Sequence, residues 1–283
     1  MGFARFPKGL SREKLESVPE KPGVYMFYSS KGDIPLYIGK GKNLKERISQ
    51  HFSGKINSKK ELKLNDLTDN LEFIETSGEF SALMLESKLI KEKKPLLNKR
   101  LRDHKIHYTA KLIESKDGLL VPTLFNFESL EDLVDSIGIF KSKKDFDKLL
   151  TRLSKDYNLC QVALGIEKSQ GSCFNYQLEK CNGVCTMEES IKVYNQRLKS
   201  AFRKHEIKPW NFEGKVLLEE NNVYHLVDKW CYLTKIESES DLEDALNTSY
   251  EYNFDYDQYL IMKKFLNGNY NYKVVSGTNS FDL

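Results

Sequence analysis

Apolar positions along the first hundred residues switch between a period of two and a period near 3.6. Residues 23–28, GVYMFY, form an apolar and aromatic run of strand type; SSKGD at 29–33 is a turn cluster, and IPLYIG then returns. A β-hairpin is predicted, with Tyr25 and Tyr37 on neighbouring strands. A tight Gly-Lys-Gly turn, Gly39 to Gly41, is expected to lead into a helix over LKERISQHF with Asn43 as its N-cap. LEFIET, residues 71–76, alternates like a third strand, and Thr76 and Glu79 have capping-box spacing. The helix that follows should run from about Phe80 to Lys94 and stop at Pro95.

Beyond this strand-strand-helix-strand-helix block, periodicity weakens. Residues 104–155 hold faint strand signals and a helix near KDFDKLLTRLSKDY, and a polar helical stretch runs from Met187 to about His205. GKVLLEENNVYHLVDKWCYLTKI reads as a β-meander, followed by an acidic segment and the helix-like YDQYLIMKKFL. The pattern predicts an α+β or α/β protein in three parts: 1–105 with a small three-stranded sheet flanked by helices, 106–205 with the cysteines, and 206–283 as a small α+β segment of unknown role. There is no internal repeat and no low-complexity linker.

Composition narrows the class. With 283 residues, 40% hydrophobic and 30% charged, this is a globular chain able to bury more than one core. No apolar run approaches the roughly 20 residues that cross a bilayer. The start, MGFARFPKGLSREKL, lacks the apolar core of a signal peptide, so a cytoplasmic location is expected. The net charge of +3 hides an asymmetry: residues 1–105 carry 22 Lys and Arg against 14 Asp and Glu, leaving the remainder net acidic. The basic part could meet a polyanion.

Candidate chemistry gathers in the first block. Placed at 100° per residue, Glu86 falls in the apolar stripe of its helix with Ala82, Leu83, Leu89 and Ile90. An unpaired carboxylate there costs several kcal/mol, so it is either paired with Arg or Lys as structural glue or holds a cation at the rim of a site. Arg47 and His51 flank the Leu44 and Ile48 stripe one turn apart, as boundary residues with buried stems or as a phosphate site. Lys40 reads as a solvated turn lysine or as part of that site, and Tyr25 and Tyr37 as ordinary strand residues or as phenols with a task. Four of the five cysteines crowd together as Cys160-x12-Cys173-x7-Cys181-x3-Cys185. Reduced thiols make a metal site more fitting than disulfides. The absence of a C-x2-C pair suits an iron–sulfur cluster better than zinc, with Zn²⁺ as the alternative. Cys231 stands apart as a core residue.

Taken together, GVYMFY, PLYIGKGKNLKERI and ALMLESKLIKEKKPLLNKRLRD resemble the GIY-YIG nucleases, specifically the UvrC branch of bacterial nucleotide excision repair and its short homologues of the Cho type. The likeness covers the first 105 residues well and continues, more weakly, to about residue 200. It implies a metal-dependent DNA endonuclease that makes the 3′ incision near a lesion. Glu86 would be the sole carboxylate on Mg²⁺ or Mn²⁺, Tyr37 the general base, and Lys40 the ammonium favouring its phenolate. Arg47 would stabilise charge on the phosphorus centre, Tyr25 would orient water or phosphate, and Asn98 would serve the metal-carboxylate end of the site or touch phosphate. His51 departs from the Tyr of many UvrC sequences. Lys42, Lys45, Lys99, Arg100 and Arg102 would contact DNA.

The same resemblance implies a [4Fe–4S] cluster on Cys160, Cys173, Cys181 and Cys185. It also implies damaged double-stranded DNA as substrate and UvrB, with UvrA upstream, as partners, with no membrane and no small-molecule substrate. Neither the second nuclease half of full-length UvrC nor its helix-hairpin-helix motifs is expected. Two other readings are a GIY-YIG nuclease for branched or mobile-element DNA and a non-catalytic DNA-binding repair accessory. The first predicts no UvrC-like cysteine spacing, and the second needs no metal carboxylate. Trp210, Tyr224, Trp230 and Tyr232 could stack on bases or fill a core.

Overall fold

The computed structural model describes residues 7, 9–30, 32–53, 58–98, 107–168, 172–238 and 240–275. It divides into two compact units, one made of Met1–His104 together with Asn211–Leu283 and the other of Lys105–Trp210.

The first unit begins with α1 (Arg12–Glu16), β1 (Gly23–Tyr28), β2 (Tyr37–Gly41), α2 (Leu44–Phe52), α3 (Lys59–Leu67), β3 (Asn70–Glu75) and α4 (Glu79–Lys93). The strands form an antiparallel sheet of order β2-β1-β3, so β1 is central and β2 is an edge. All six residues of β1 are buried. Their alternation sends Tyr25 and Phe27 to one face with Leu44, Ile48, Phe52 and Leu64, and Val24, Met26 and Tyr28 to the other with Leu89 and Ile90. The sheet is thus covered by α2 and α3 on one side and by α4 on the other. Each buried side chain of this size contributes about 1.5–3 kcal/mol.

Asn43 caps α2 as its sequence suggests, accepting from the Glu46 N–H at 3.0 Å. Two other local expectations fail. Gly39, Lys40 and Gly41 are not a turn; they continue β2, paired with Tyr25, Val24 and Gly23. Gly39 is required by close approach instead, because a Cβ there would lie 2.4 Å from the Tyr25 hydroxyl. The Thr76–Glu79 capping box does not form either. Gly78 is the N-cap of α4, and Thr76 turns its hydroxyl to the Gly78 carbonyl. α4 ends at Lys93, where Lys94 adopts a left-handed conformation before Pro95.

The second unit holds β4 (Tyr108–Glu114), β5 (Leu120–Asn126) and β6 (Gly138–Phe140) in the order β5-β4-β6. It continues with α5 (Lys143–Asp156), the short α6 (Phe174–Gln177) and α7 (Ile191–Phe202). Its core joins Phe146, Leu149, Leu150 and Leu153 of α5 with Tyr194, Leu198 and Phe202 of α7, and Cys160, Cys173 and Cys181 belong to it.

The chain then returns to the first unit with β7 (Lys215–Glu220), β8 (Val223–Asp228), β9 (Cys231–Ile236), α8 (Ser240–Asn247), α9 (Tyr256–Leu266) and β10 (Tyr272–Val275). The sheet order is β10-β7-β8-β9. Trp230 and Cys231 are buried, as core residues rather than surface platforms, and Tyr232 bonds to His225. This segment supplies the cap that α4 lacks locally. The Glu220 carboxylate accepts from the Phe80 N–H at 2.7 Å and the Ser81 N–H at 2.9 Å, a negative group on a helix N-terminus. Ser81 bridges Glu220 to Nε2 of His225, Phe80 packs edge-on against His225 and Phe265, and Lys91 of α4 pairs with Asp255.

Candidate active site

The edge position of β2 explains the polar cluster around it. With β1 on one side only, the outward amides of Ile38 and Lys40 need partners from outside the sheet. Asn98 serves Ile38 twice, accepting from its N–H at 3.0 Å and donating to its carbonyl at 2.9 Å. The Glu86 carboxylate reaches the same edge from α4, where the Lys40 backbone and ammonium both favour its charge. Asn98 is therefore a positioning residue that continues the ladder beyond the edge strand.

On the α2 face, Tyr25 is fully buried and its hydroxyl lies 2.5 Å from Nε2 of His51. Nδ1 of His51 lies 2.8 Å from a carboxylate oxygen of Glu61, itself buried on α3. Arg47 and Tyr37 both act electrostatically on Tyr25, and the Tyr25 and Tyr37 ring centroids are 6.2 Å apart. The Lys60 ammonium sits over the Tyr37 ring, 3.8 Å from its centroid. Tyr37, Arg47 and Glu86 thus meet around one end of the sheet, joined by Tyr25, His51, Glu61 and Lys60.

Electrostatics follow from burial. Burial pushes the Glu86 carboxyl up to about 7, against the pull of Lys40, Arg47 and Lys60. These cations do not offset the loss of water, so the site has the character of one that would take a further cation. Burial also raises the phenol of Tyr37, helped by Glu86 and Glu61 and opposed by Arg47, and it raises Tyr25 well above the ordinary range. This reverses the expectation that a lysine makes Tyr37 easier to ionise. Lys40 is engaged elsewhere, 3.6 Å from Glu79 and beside Glu86. The ammonium at Tyr37 belongs to Lys60, whose own pKa burial lowers.

Of the residues expected on DNA, Lys42 pairs with Glu79 at 2.7 Å and Lys45 lies 3.8 Å from Glu20. Burial alone would raise Glu79, but Lys42, Lys264 and Lys40 hold it at about 2. The lysine heads of Lys42 and Lys45 are exposed, so a phosphate could replace these carboxylates as their partner. Lys99, Arg100 and Arg102 lie outside the described residues.

Comparison with known proteins matches three consecutive families: the UvrC-like GIY-YIG domain at residues 21–99, the UvrC/Cho excinuclease middle domain at 111–204, and the excinuclease Cho C-terminal domain at 215–279. Excinuclease cho of Escherichia coli (strain K12) is 31% identical over 272 residues, which cover 94% of this chain and 89% of that one. The chain belongs to the excinuclease Cho family. It is an endonuclease, with a GIY-YIG domain built on the three-stranded sheet. The UvrABC system protein C of Borrelia duttonii (strain Ly) is 30% identical over 187 residues, 66% of this chain and 30% of that one. The magnesium-bound GIY-YIG N-terminal endonuclease domain of UvrC from Thermotoga maritima is 36% identical, covers 31% of this chain and 93% of that one, and has a TM-score of 0.28. No helix among the described residues is long and apolar enough to cross a membrane.

In this Cho-family chain the middle unit brings the four thiols together. Cys160 follows α5, Cys173 is the N-cap of α6, and Cys185 lies in a single 3₁₀ turn. Sγ of Cys173 is 3.9 Å from that of Cys160 and 3.6 Å from that of Cys181, and Cys185 completes the group. Backbone N–H groups of Ala163, Tyr176 and Gly183 donate to Cys160, Cys173 and Cys181. Burial raises all three, but the Tyr176 N–H and the neighbouring thiols hold Cys173 below its ordinary value, while burial pushes Cys160 to about 12 and Cys181 to about 11. Three sulfurs, of Cys160, Cys173 and Cys185, lie within 4.8 Å of one another with Cys181 beside Cys173, a donor set that suits a soft metal centre. Bonds of about 2.3 Å on a tetrahedron place sulfurs about 3.8 Å apart, close to the two separations at Cys173. A four-iron cube puts each thiolate on its own iron and asks the sulfurs to spread.

Sequence reasoning missed Glu61 and Lys60 because it placed no helix at α3. A signal was there: Ser58-x-x-Glu61 has capping-box spacing, and the Glu61 N–H does bond to the Ser58 hydroxyl. Glu220 had no local signal, since its partners are about 140 residues away.

Proposed function

We propose that this chain hydrolyses one phosphodiester bond of damaged double-stranded DNA, on the 3′ side of the lesion, and that UvrB recruits it after UvrA has found the damage. The convergence of Tyr37, Arg47 and Glu86 at one end of the sheet supports this reading. A Mg²⁺ or Mn²⁺ ion held by Glu86 would supply Lewis-acid polarisation of the scissile phosphate. One carboxylate binds a hard cation weakly, so DNA oxygens and water complete its shell. Arg47 offers paired donors to the charge that develops on phosphorus. Tyr37 receives the proton of the attacking water, and Lys40, Lys42 and Lys45 exchange acidic partners for phosphates.

The cysteine centre serves structure or DNA contact rather than hydrolysis. A [4Fe–4S] cluster is the first reading, supported by the irregular spacing of the four thiols; a single Zn²⁺ is the second, favoured by the sulfur separations. Iron and zinc content of anaerobically purified protein, with its visible absorption, decides between them.

The function is tested by incision of a single-lesion duplex with and without UvrA and UvrB. Cutting only in their presence and on the 3′ side supports it, and cutting of undamaged or branched DNA without them overturns it. Tyr37→Phe and Glu86→Ala should each lower the incision rate by at least about 10²-fold with DNA binding retained. Normal cutting by either variant ends the mechanism.

A further inference from the structure

The outward side of α7 carries cations that the fold does not use. From Ile191 to Phe202 the helix holds Lys192, Arg197 and Lys199 and no Asp or Glu, and Arg203 follows as its C-cap. Tyr194, Leu198, Ala201 and Phe202 are its buried stripe. At 100° per residue, Lys192, Gln196, Lys199 and Arg203 fall within about 60° of one another on the opposite side, and all four are exposed. Arg197 lies on the flank and pairs with the buried Glu189. Among the described residues, no carboxylate pairs with Lys192, Lys199 or Arg203.

Helix stability does not account for this row. Cations suit the C-terminal end, but Lys192 stands in the first turn, where an acid is favoured and none is present. Lys199 and Arg203 are four residues apart, a spacing at which like charges repel. α5, the other long helix of the unit, shows the ordinary arrangement. There Lys144, Lys148 and Lys155 share the helix with Asp145, Asp147 and Asp156, and Lys148 lies 3.4 Å from Asp145. Beside the α7 row, Asn195 donates to the Gly118 carbonyl at 2.8 Å and accepts from the Leu120 N–H at 3.0 Å, fastening the β4–β5 turn to the helix. An open groove of about 380 Å³ runs there, with Lys192, Gln196 and Lys199 along its α7 wall. Glu114 and Asp117 outnumber Lys116 on the turn opposite, so an anion is drawn to the helix wall.

We propose that this face of α7 is a DNA contact on the second unit, outside the nuclease site, where Lys192, Lys199 and Arg203 neutralise phosphates of one strand and Gln196 donates to a phosphate oxygen between them. The row spans about 16 Å, against about 3.4 Å of duplex axis for each phosphate of a strand. It has no apolar member, unlike the centre of a protein interface, so a duplex backbone fits it better than an acidic protein does. Contacts of this kind hold and orient the duplex without reading its sequence. The inference rests on the reading of duplex DNA as the substrate.

The test measures binding of the full chain to an undamaged duplex, without Mg²⁺, over a range of salt. Lys192→Gln/Lys199→Gln/Arg203→Gln should weaken binding at least about 10-fold at low salt and lower the slope of log affinity against log salt by about 2–3. These positions are exposed, so its melting temperature should stay close to that of the parent. Lys192→Arg/Lys199→Arg should bind as the parent does. Lys144→Gln/Lys148→Gln/Lys155→Gln, which removes as much charge from α5, should leave the slope unchanged. In single-turnover incision at saturating protein the α7 variant should cut at the parental rate, with only the half-saturating concentration raised. An unchanged slope in the α7 variant overturns the proposal, and so does an equal fall in the α5 variant, which would make the effect one of net charge. Parental DNA binding with lost UvrB-dependent incision also overturns it and makes α7 a protein contact. If the parent chain fails to cut lesion DNA while the α7 slope still falls, the proposed function is lost and the α7 contact stands.

Discussion

At the sheet edge the titratable candidate side chains arrive on regular elements: Tyr25 and Tyr37 on strands, Arg47 and His51 one turn apart on α2, Glu61 on α3 and Glu86 on α4. In the cysteine region they arrive on turns. Asn158, Gly165, Glu179, Gly183 and Met187 all have positive φ between α5 and α7, and four thiols gather around Cys173 with little regular structure to bring them there. Hydrogen bonds and buried apolar faces fix the first site in advance of any ion. The second is a set of sulfurs in a strained backbone that a metal centre would hold together. A site built on regular elements and a set of sulfurs suited to a metal thus contrast within one chain.

The largest effect should come from breaking that contrast at its weaker end. Cys173→Ser, or removal of the metal by chelator, should unfold the region around α5 to α7 at a temperature where the GIY-YIG sheet persists, with a loss of several kcal/mol. Melting followed by region-specific hydrogen exchange checks it; equal protection of both regions after metal loss would erase the distinction.

Acid should act on the other side. His225, buried between Ser81 and Tyr232, has its pKa lowered to about 4 by burial. The unfolded chain takes up that proton near 6.5 and the folded chain does not, so stability is full above about 6.5 and falls as pH drops toward about 4, by roughly 3 kcal/mol in all. A pH series of melting curves should show this in the first unit, and His225→Gln should flatten it. Glu79, held at about 2, adds a further loss from 4.5 downward.

A prepared site should also carry a cost that function justifies. The folded pKa of Glu86 is about 7, above its unfolded value of 4.5. Its contribution is full below 4.5 and lost as pH rises through 7, so at pH 8 without metal the ionised carboxylate weakens the fold. Glu86→Gln should raise stability there by about 1–3 kcal/mol while activity disappears. An unchanged or lower melting temperature would mean that Glu86 is structural glue.

Gly39→Ala sharpens the same point more gently. The added methyl meets the Tyr25 hydroxyl and the Tyr37 ring, so it should cost about 1–3 kcal/mol and displace both phenols. Reduced incision with little change in DNA binding is the expected signature.

The hairpin, the third strand, the α2 helix with Asn43 at its start and the C-terminal meander were legible because alternation, capping and turn residues are local signals. The glycines at 39 and 41 were legible as important and misread as a turn, since sequence cannot distinguish a glycine that bends the chain from one that makes room for a tyrosine. α3 was passed over, and with it the carboxylate behind His51. By itself the sequence determined which groups could take part: a phenol on each of two strands, a guanidinium and an imidazole one helical turn apart, a carboxylate in an apolar stripe, and four thiols. Tertiary structure decided what each one faces. It put Lys40 against Glu79 and Lys60 over Tyr37, gave both amide atoms of Asn98 to Ile38, set Glu61 behind His51, and drew the cap of α4 from Glu220. The physical reason is that pattern and propensity act over a few residues, whereas burial and hydrogen-bond pairing depend on neighbours brought together from across the chain.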